Sequence, residues 1–519
     1  MAASRYLTKS RFKIACECPT KLYYTGKKEA YADSSLDDSF LEALAEGGFQ
    51  VGDLAKHYYP CGHDIQTLDS EKALEQTNAL LQQDEVTIFE AAVHFDNLLI
   101  RADILKKTGN HLKLIEVKAK SYSEDAKEDR CVSGNANITK KWRPYLEDVA
   151  FQKHVIQKSF PAMTVSTYLS LVDKNSICQT DGLNQKFKIV RNANYKGVEV
   201  SAELNEADVE HQILREVNTD IAANILLQEV DGKLDMNFAD KVSFLSDSYR
   251  SDQKVDTRIG AKCKTCQFKA SDDELANGML SGYRECWSSE AGWNVADFAE
   301  QTILDIWDFR KKDSMIESGV LKMKDVDIDD INVKEDQSAG LSRTQRQWLQ
   351  VEKIKNNDDS FWLDREALSA EFASWEFPLN FIDFETSQPA IPFTSGMHPY
   401  EGIAFQFSHH ILCEDGRIEH ANEYLNAVPG VFPNFDFLRQ LMQSLDQNTG
   451  TIFRYSNHEN TYLNKIVDQL KNTSEDIASD REELIEFAQS ITHGRIGEDR
   501  PAGRRDMVDL WEMVKRYYY

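Results

Sequence analysis

No run of about 18 apolar residues occurs in this 519-residue chain, so no membrane span is predicted. The opening residues, Met1-Ala-Ala-Ser-Arg-Tyr-Leu-Thr-Lys, lack the apolar core of a signal peptide, and the expected location is the cytoplasm. There is no Walker loop and no glycine-rich dinucleotide fingerprint, so neither an ATP motor nor a nicotinamide enzyme is expected. Positive charge is in deficit: 60 Lys and Arg stand against 86 Asp and Glu, a formal charge of −26. That balance argues against non-specific adhesion to nucleic acid or to an anionic membrane. It leaves open a nucleic-acid substrate held in a locally positive groove. No internal repeat and no long low-complexity segment is present.

What is there begins with size. The length points to two or three domains, and a hydrophobic content of 41% is enough for ordinary cores. Residues 1–60 read as helical, with a second helix near residues 40–59. Residues 86–119 read as a strand meander whose last turn is Thr108-Gly109-Asn110. Residues 145–158 carry apolar side chains at helical spacing, 163–172 form an apolar strand, and 204–230 read as one long helix. Residues 291–375, with an acidic stretch at Lys324-Asp-Val-Asp-Ile-Asp-Asp, read as a helical connector. A second α/β domain is expected from 376 to 519. Its strands begin at Pro378, Gly402 and Thr451, and its helices cover 434–446, 459–472 and 480–491. The chain stops at Tyr519 inside an expected helix, so this domain reads as truncated.

Two acids interrupt the apolar strands of the meander. Asp103 lies in Leu99-Ile100-Arg101-Ala102-Asp103-Ile104, and Glu116 in Leu112-Lys113-Leu114-Ile115-Glu116-Val117-Lys118. A buried carboxylate is costly unless it is paired or binds a cation. Glu116 and Lys118 are two apart and share a strand face. Asp103 and Glu116 could ligate Mg²⁺ or Mn²⁺, and Lys118 could orient an attacking water or neutralise phosphate charge. A surface hairpin with a salt bridge is the plain alternative.

Nine cysteines are present, and in a cytosolic chain grouped cysteines point to metal rather than disulfides. Cys263-Lys-Thr-Cys266 is a C-x-x-C loop, Cys286 follows, and Cys18, in Cys18-Pro-Thr-Lys-Leu-Tyr-Tyr, is the best fourth thiolate; Cys16 competes with it. Four thiolates suit zinc as well as iron–sulfur. Cys61, Cys131, Cys178 and Cys413 stand apart and read as buried small hydrophobes. In the second domain, Phe381-Ile382-Asp383-Phe384-Glu385-Thr386 puts two acids on one strand face. Lys106-Lys107, Lys118-Ala-Lys120, Lys140-Lys141-Trp142-Arg143 and Arg504-Arg505 are the local basic segments. The segment 140–145 interleaves cations with aromatics, as a nucleic-acid contact would, or as an ordinary loop would.

These motifs resemble the RecB-like branch of the PD-(D/E)xK nucleases over about residues 5–290. The matching positions are His57, Asp103, Glu116, Lys118 and Gln152. Ile156 stands where that branch has a Tyr. The resemblance implies an α/β, restriction-endonuclease-like mixed sheet with flanking helices. It also implies a metal held by His57, Asp103 and Glu116, and a Gln152 that positions substrate. Glu90 is a further candidate near the site. One early and three late cysteines resemble the cluster-bearing members, the CRISPR-adaptation exonucleases and the AddB subunit. This implies a structural 4Fe-4S cluster on Cys18, Cys263, Cys266 and Cys286, with zinc as the alternative.

The Asp383–Glu385 strand resembles the opening strand of RNase H-like DEDD exonucleases. Glu459 and Asp509 match later acids of that pattern, and a last acid is missing from the chain. The fusion as a whole resembles an uncharacterised bacterial family. The expectation is a metal-dependent nuclease acting on DNA, exonucleolytic on single strands or ends. The rivals are a non-catalytic nucleic-acid-binding or assembly protein, and a DNA or RNA exonuclease working through the C-terminal domain.

Overall fold

The computed structural model describes residues 5–519 apart from 37–38, 193–194, 233, 337 and 496. The fold is α/β, and its two larger sheets are mixed. The chain divides into two compact units. The first comprises Met1–Ile259, Thr265–Gly292 and Pro389–Tyr400; the second comprises Gly260–Lys264, Trp293–Gln388 and Glu401–Tyr519. The expected boundary at 290 lies beside the break between Gly292 and Trp293, whereas no break falls at 375. The connector region falls inside the second unit, and 389–400 inside the first. Among the described residues no helix is long and apolar enough to cross a membrane.

The first unit is built on one sheet. In spatial order its strands are His63–Asp64, Glu85–Phe95, Leu98–Thr108, His111–Tyr122, Thr164–Asp173 and Leu214–Asn218, with Leu7–Thr8 pairing alongside Leu98–Leu99. The meander is antiparallel, as its tight turns require. His111–Tyr122 then pairs in parallel with Thr164–Asp173 through the helix Arg143–Ser159, the long crossover that parallel strands need. Leu112 and Leu114 face the core packed by this helix, whereas Ile115 and Val117 face a second apolar cluster with Val51, Leu54 and Phe187. This period-two alternation puts Glu116 on the face of Leu112 and Leu114, under the helix.

One expectation fails here. Residues 204–230 are not one long helix. The helix Glu206–Glu210 is followed by the strand Leu214–Asn218 and the helix Asp220–Gln228.

The second unit contains a sheet in the order Ile418–Leu425, Ile403–Leu412, Leu379–Ser387, Ile452–Arg454, Val508–Asp509. The first two pairings are antiparallel and the last two parallel. Helices Asn434–Leu445, His458–Lys471 and Arg481–Ser490 cover it, close to their expected bounds. Its core joins Ile382, Phe384 and Phe407 of the sheet to Phe437, Leu441 and Leu463 of the helices.

A carboxylate pair bridged by an ammonium

The ladder between the Asp103 and Glu116 strands runs from Thr108↔His111 to Ile104↔Ile115 and stops there. Past that point Val117 N–H donates to the Asp103 side chain instead, at 2.8 Å to Oδ2. The strands part where the two acids sit, and a carboxylate takes the donor that the ladder leaves unpaired. Asp103 Oδ1 and Glu116 Oε1 then turn toward one cation. The Lys9 ammonium donates to them at 3.3 and 2.7 Å.

Glu116 is fully buried and fully engaged. Lys118 Nζ donates to Oε1 at 2.6 Å, and Gln152 Nε2 donates to Oε2 at 2.7 Å. Burial alone would favour the neutral acid. The charges of Lys9 and Lys118 outweigh it and hold the Glu116 carboxyl down at about 2. Asp103 goes the other way: burial, reinforced by the neighbouring Glu116 charge, raises it. Burial works against the Lys9 ammonium too, but Glu116 and Asp103 overcome it and raise its pKa. Glu90 lies opposite Asp103 in the register and adopts φ +53°, where the regular ladder is interrupted. Its carboxyl is raised by burial and by the charge of Asp103.

The structure therefore brings together Asp103, Glu116, Lys118 and Gln152, with Glu90 close by. It does not bring His57 to them. His57 is exposed and edges onto the Phe187 ring at 5.8 Å, and among the described residues it makes no hydrogen bond or ion pair with Asp103 or Glu116. Its helix sends Lys56 instead toward Asp64, at 3.0 Å, on the strand that flanks the Glu90 strand.

Two residues of this site were missed in the sequence. Lys9 opens the helix Lys9–Glu17, capped by Thr8, and reaches the acids because Leu7–Thr8 pairs with Leu98–Leu99. Its only signal in the sequence is the basic run Lys9-Ser10-Arg11-Phe12-Lys13. Asp148 lies four residues before Gln152, one helical turn away on the same face. It is buried, its Oδ2 lies 3.6 Å from Lys118 Nζ, and burial lifts its carboxyl to about 6 against the pull of Lys118. Lys13, one turn on from Lys9, is exposed, and its charge reaches Asp148.

The donor set fits a hard divalent cation. Mg²⁺ and Mn²⁺ sites of this kind use one or two carboxylates and fill the rest with water and phosphate oxygens. Two buried acceptors beside the pair, Asp148 Oδ1 and Gln152 Oε1, find no donor among the described residues. No three His, Cys, Asp or Glu side chains among the described residues gather closely enough to hold an ion unaided.

The cysteines fall in two places. Cys18 ends the first helix, its Sγ 3.3 Å from Thr257 Oγ1. Cys266 and Cys286 pack against the aromatic group Tyr24, Tyr31 and Phe268, and Tyr24 Oη lies 3.7 Å from Cys286 Sγ. Thr20 Oγ1 donates to Val255 O at 2.6 Å and Tyr31 Oη to Glu285 at 2.7 Å, so the two ends of the first unit are tied together around these thiols. Cys263 belongs to Gly260–Lys264 and is counted with the second unit. Of the remaining cysteines, Cys178 is buried as expected, Cys131 and Cys413 are half-buried, and Cys61 is exposed.

In the second unit Asp383 and Glu385 are exposed on either side of the buried Phe384. Glu459 is only 2% exposed. Burial, then the charge of Asp383, lifts it to about 7, and its Oε2 has no donor among the described residues. Asp509 is committed elsewhere. It accepts from Arg454 Nη1 and Ser456 N, each at 3.0 Å, and caps the last helix through Trp511 N at 2.9 Å.

Several basic segments are structural. Trp142 is fully buried, Lys107 Nζ donates to Leu81 O at 2.8 Å and Gln83 O at 2.7 Å, and Arg505 binds the carbonyls of Leu445 and Gly450. Arg143 pairs with Glu229 and Lys141 with Asp129. The interleaved segment at 140–145 therefore buries its Trp rather than offering it to bases, while Lys140 and Lys141 stay exposed.

Residues 380–519 match the family model described as a domain of unknown function (DUF2779). No curated protein and no solved structure matches the chain.

Proposed function

We propose that the first unit is a metal-dependent nuclease that hydrolyses phosphodiester bonds, with DNA as substrate and ends or single strands as the point of attack. The observation that carries this is the convergence of Asp103 and Glu116 on a single cation, the Lys9 ammonium. A salt-bridged surface hairpin would leave Glu116 exposed, yet it is fully buried and takes bonds from three side chains. Asp103 and Glu116 are the residues that would hold Mg²⁺ or Mn²⁺. Bound there, such an ion polarises the phosphate and lowers the pKa of a water. Gln152 fixes the Glu116 carboxylate so that its other oxygen faces the site. Lys118, shared between Glu116 and Asp148, presents an ammonium to phosphate oxygens, and Asp148 can take up a proton in the neutral pH range.

The same reading gives the four thiols Cys18, Cys263, Cys266 and Cys286 to a 4Fe-4S cluster of structural role, with zinc as its rival. No step of hydrolysis passes through it. A second reading is favoured by the unpartnered buried oxygen of Glu459 beside Asp383. It places an RNase H-like centre on Asp383, Glu385 and Glu459 that acts on RNA or DNA.

The test is purification without oxygen, followed by end-labelled DNA and RNA with Mg²⁺ or Mn²⁺. We expect brown protein containing iron. We also expect Glu116→Ala to lose at least a hundredfold in cleavage rate, about 3 kcal/mol of barrier, while Asp383→Ala keeps its DNA cleavage. Full activity in Glu116→Ala together with loss in Asp383→Ala moves the chemistry to the second unit. Colourless protein containing zinc overturns the iron–sulfur assignment.

A further inference from the structure

Three acids and two lysines meet at this site, and the lysines are not equivalent. Lys118 donates to Glu116 at 2.6 Å and lies 3.6 Å from Asp148. Lys9 bridges Asp103 and Glu116 themselves, at 3.3 and 2.7 Å. Its ammonium therefore takes the oxygens that a divalent ion would take. A divalent ion set between Asp103 Oδ1 and Glu116 Oε1 would meet the Lys9 ammonium in the same place and be repelled by it. Lys9 is also able to leave. Its side chain is 21% exposed, against 0% for Glu116, and it stems from the first residue of its helix.

We propose that Lys9 is the resident counter-cation of the Asp103–Glu116 pair and competes with the divalent ion for it, so that this residue sets the metal affinity of the nuclease centre. The inference rests on reading the pair as a divalent-ion site. Without metal, Lys9 and Lys118 neutralise the buried Glu116 and the half-buried Asp103 and keep them converged. With metal, Lys9 is released to the rim, beside Lys13, where phosphate would approach. The N-terminal helix thereby acts as a threshold: the ion must pay for displacing an ammonium before the centre is loaded.

The experiment measures binding of Mn²⁺ alone, with no nucleic acid, to the full chain and to Lys9→Met and Lys9→Arg. Calorimetry gives the affinity, and thermal unfolding with and without Mn²⁺ gives the linkage. We expect Lys9→Met to bind Mn²⁺ roughly tenfold more tightly than the parent, to unfold more easily without metal, and to gain more from Mn²⁺. Lys9→Arg keeps the charge and binds no more tightly than the parent. Equal or weaker binding by Lys9→Met overturns the proposal. If Lys9→Met does not fold in the absence of metal, recovery by Mn²⁺ supports it, and failure to recover overturns it. Because the readout is metal binding, a parent chain that cleaves nothing would refute the nuclease reading and leave this result standing.

Discussion

Glu116 and Glu459 are both buried glutamates, and their environments push them apart. Glu116 has two ammonium groups in contact and stays ionised to about pH 2. Glu459 has no cation in contact among the described residues, one oxygen without a donor, and a pKa raised to about 7 by burial and by Asp383. A pKa raised in the folded state means that the native protein holds this proton more tightly than the unfolded chain does. The stability it lends is full below about pH 4.5 and is lost as pH rises toward 7. We therefore expect Glu459→Gln to match the parent near pH 4.5 and to become the more stable protein by about 2–3 kcal/mol at pH 7.5 in EDTA. Hydrogen exchange in the helix His458–Lys471 is the measurement. A difference that does not change with pH would show that Glu459 is ionised in the fold.

The elements carrying the site were legible in the sequence where local pattern decides them, and illegible where a distant partner does. The meander, its turn and the Gln152 helix follow from alternation, Gly109 and helical spacing. The residues around 204–230 keep helical spacing of apolar positions, and no Pro or Gly interrupts them before Gly232. The strand Leu214–Asn218 forms there because the edge of Thr164–Asp173 offers it a ladder. Lys9 was invisible for the same reason. Its place depends on a two-residue strand pairing with Leu98–Leu99, far along the chain. Asp148 was within reach of sequence reasoning, as the residue one turn from Gln152. The exposure of His57 was not, because which face of its helix meets the sheet is set by the burial of Val51, Leu54 and Ala55 in the apolar cluster with Ile104 and Ile115. What holds the Lys9 helix against the Gln152 helix is a stacked pair of buried rings, Phe12 and Phe151, with centroids 4.5 Å apart. Phe12→Ala leaves a cavity between the two helices that converge on Glu116. We expect a cost of about 3–5 kcal/mol in denaturant unfolding of the first unit. A cost below about 1 kcal/mol would mean that the helix is held mainly by its cap and its strand.

For the whole molecule the governing quantity is its charge of −26. A polyanion of this size repels a phosphate backbone within about a Debye length of its surface, is screened beyond it, and gains little from counterion release. The charged groups at the Asp103–Glu116 site nearly cancel. Lys9, Lys13 and Lys118 are set against Asp103, Glu116 and Asp148, and several basic residues that looked available are bound to backbone carbonyls or acids. On the proposed reading, attraction for nucleic acid comes with a divalent ion, which would turn the carboxylate pair from a repulsive into an attractive surface and free an ammonium in doing so. Ca²⁺, which binds oxygen ligands without the small octahedral geometry that Mg²⁺ demands, separates binding from cleavage. We expect a labelled single-stranded DNA to bind at least tenfold more tightly in Ca²⁺ than in EDTA at equal ionic strength, about 1.4 kcal/mol, followed by fluorescence anisotropy. In Glu116→Ala that gain should disappear while the weak binding in EDTA stays. Equal affinity with and without the ion would mean that a basic surface away from Asp103 and Glu116 holds the substrate, and would separate binding from the metal site.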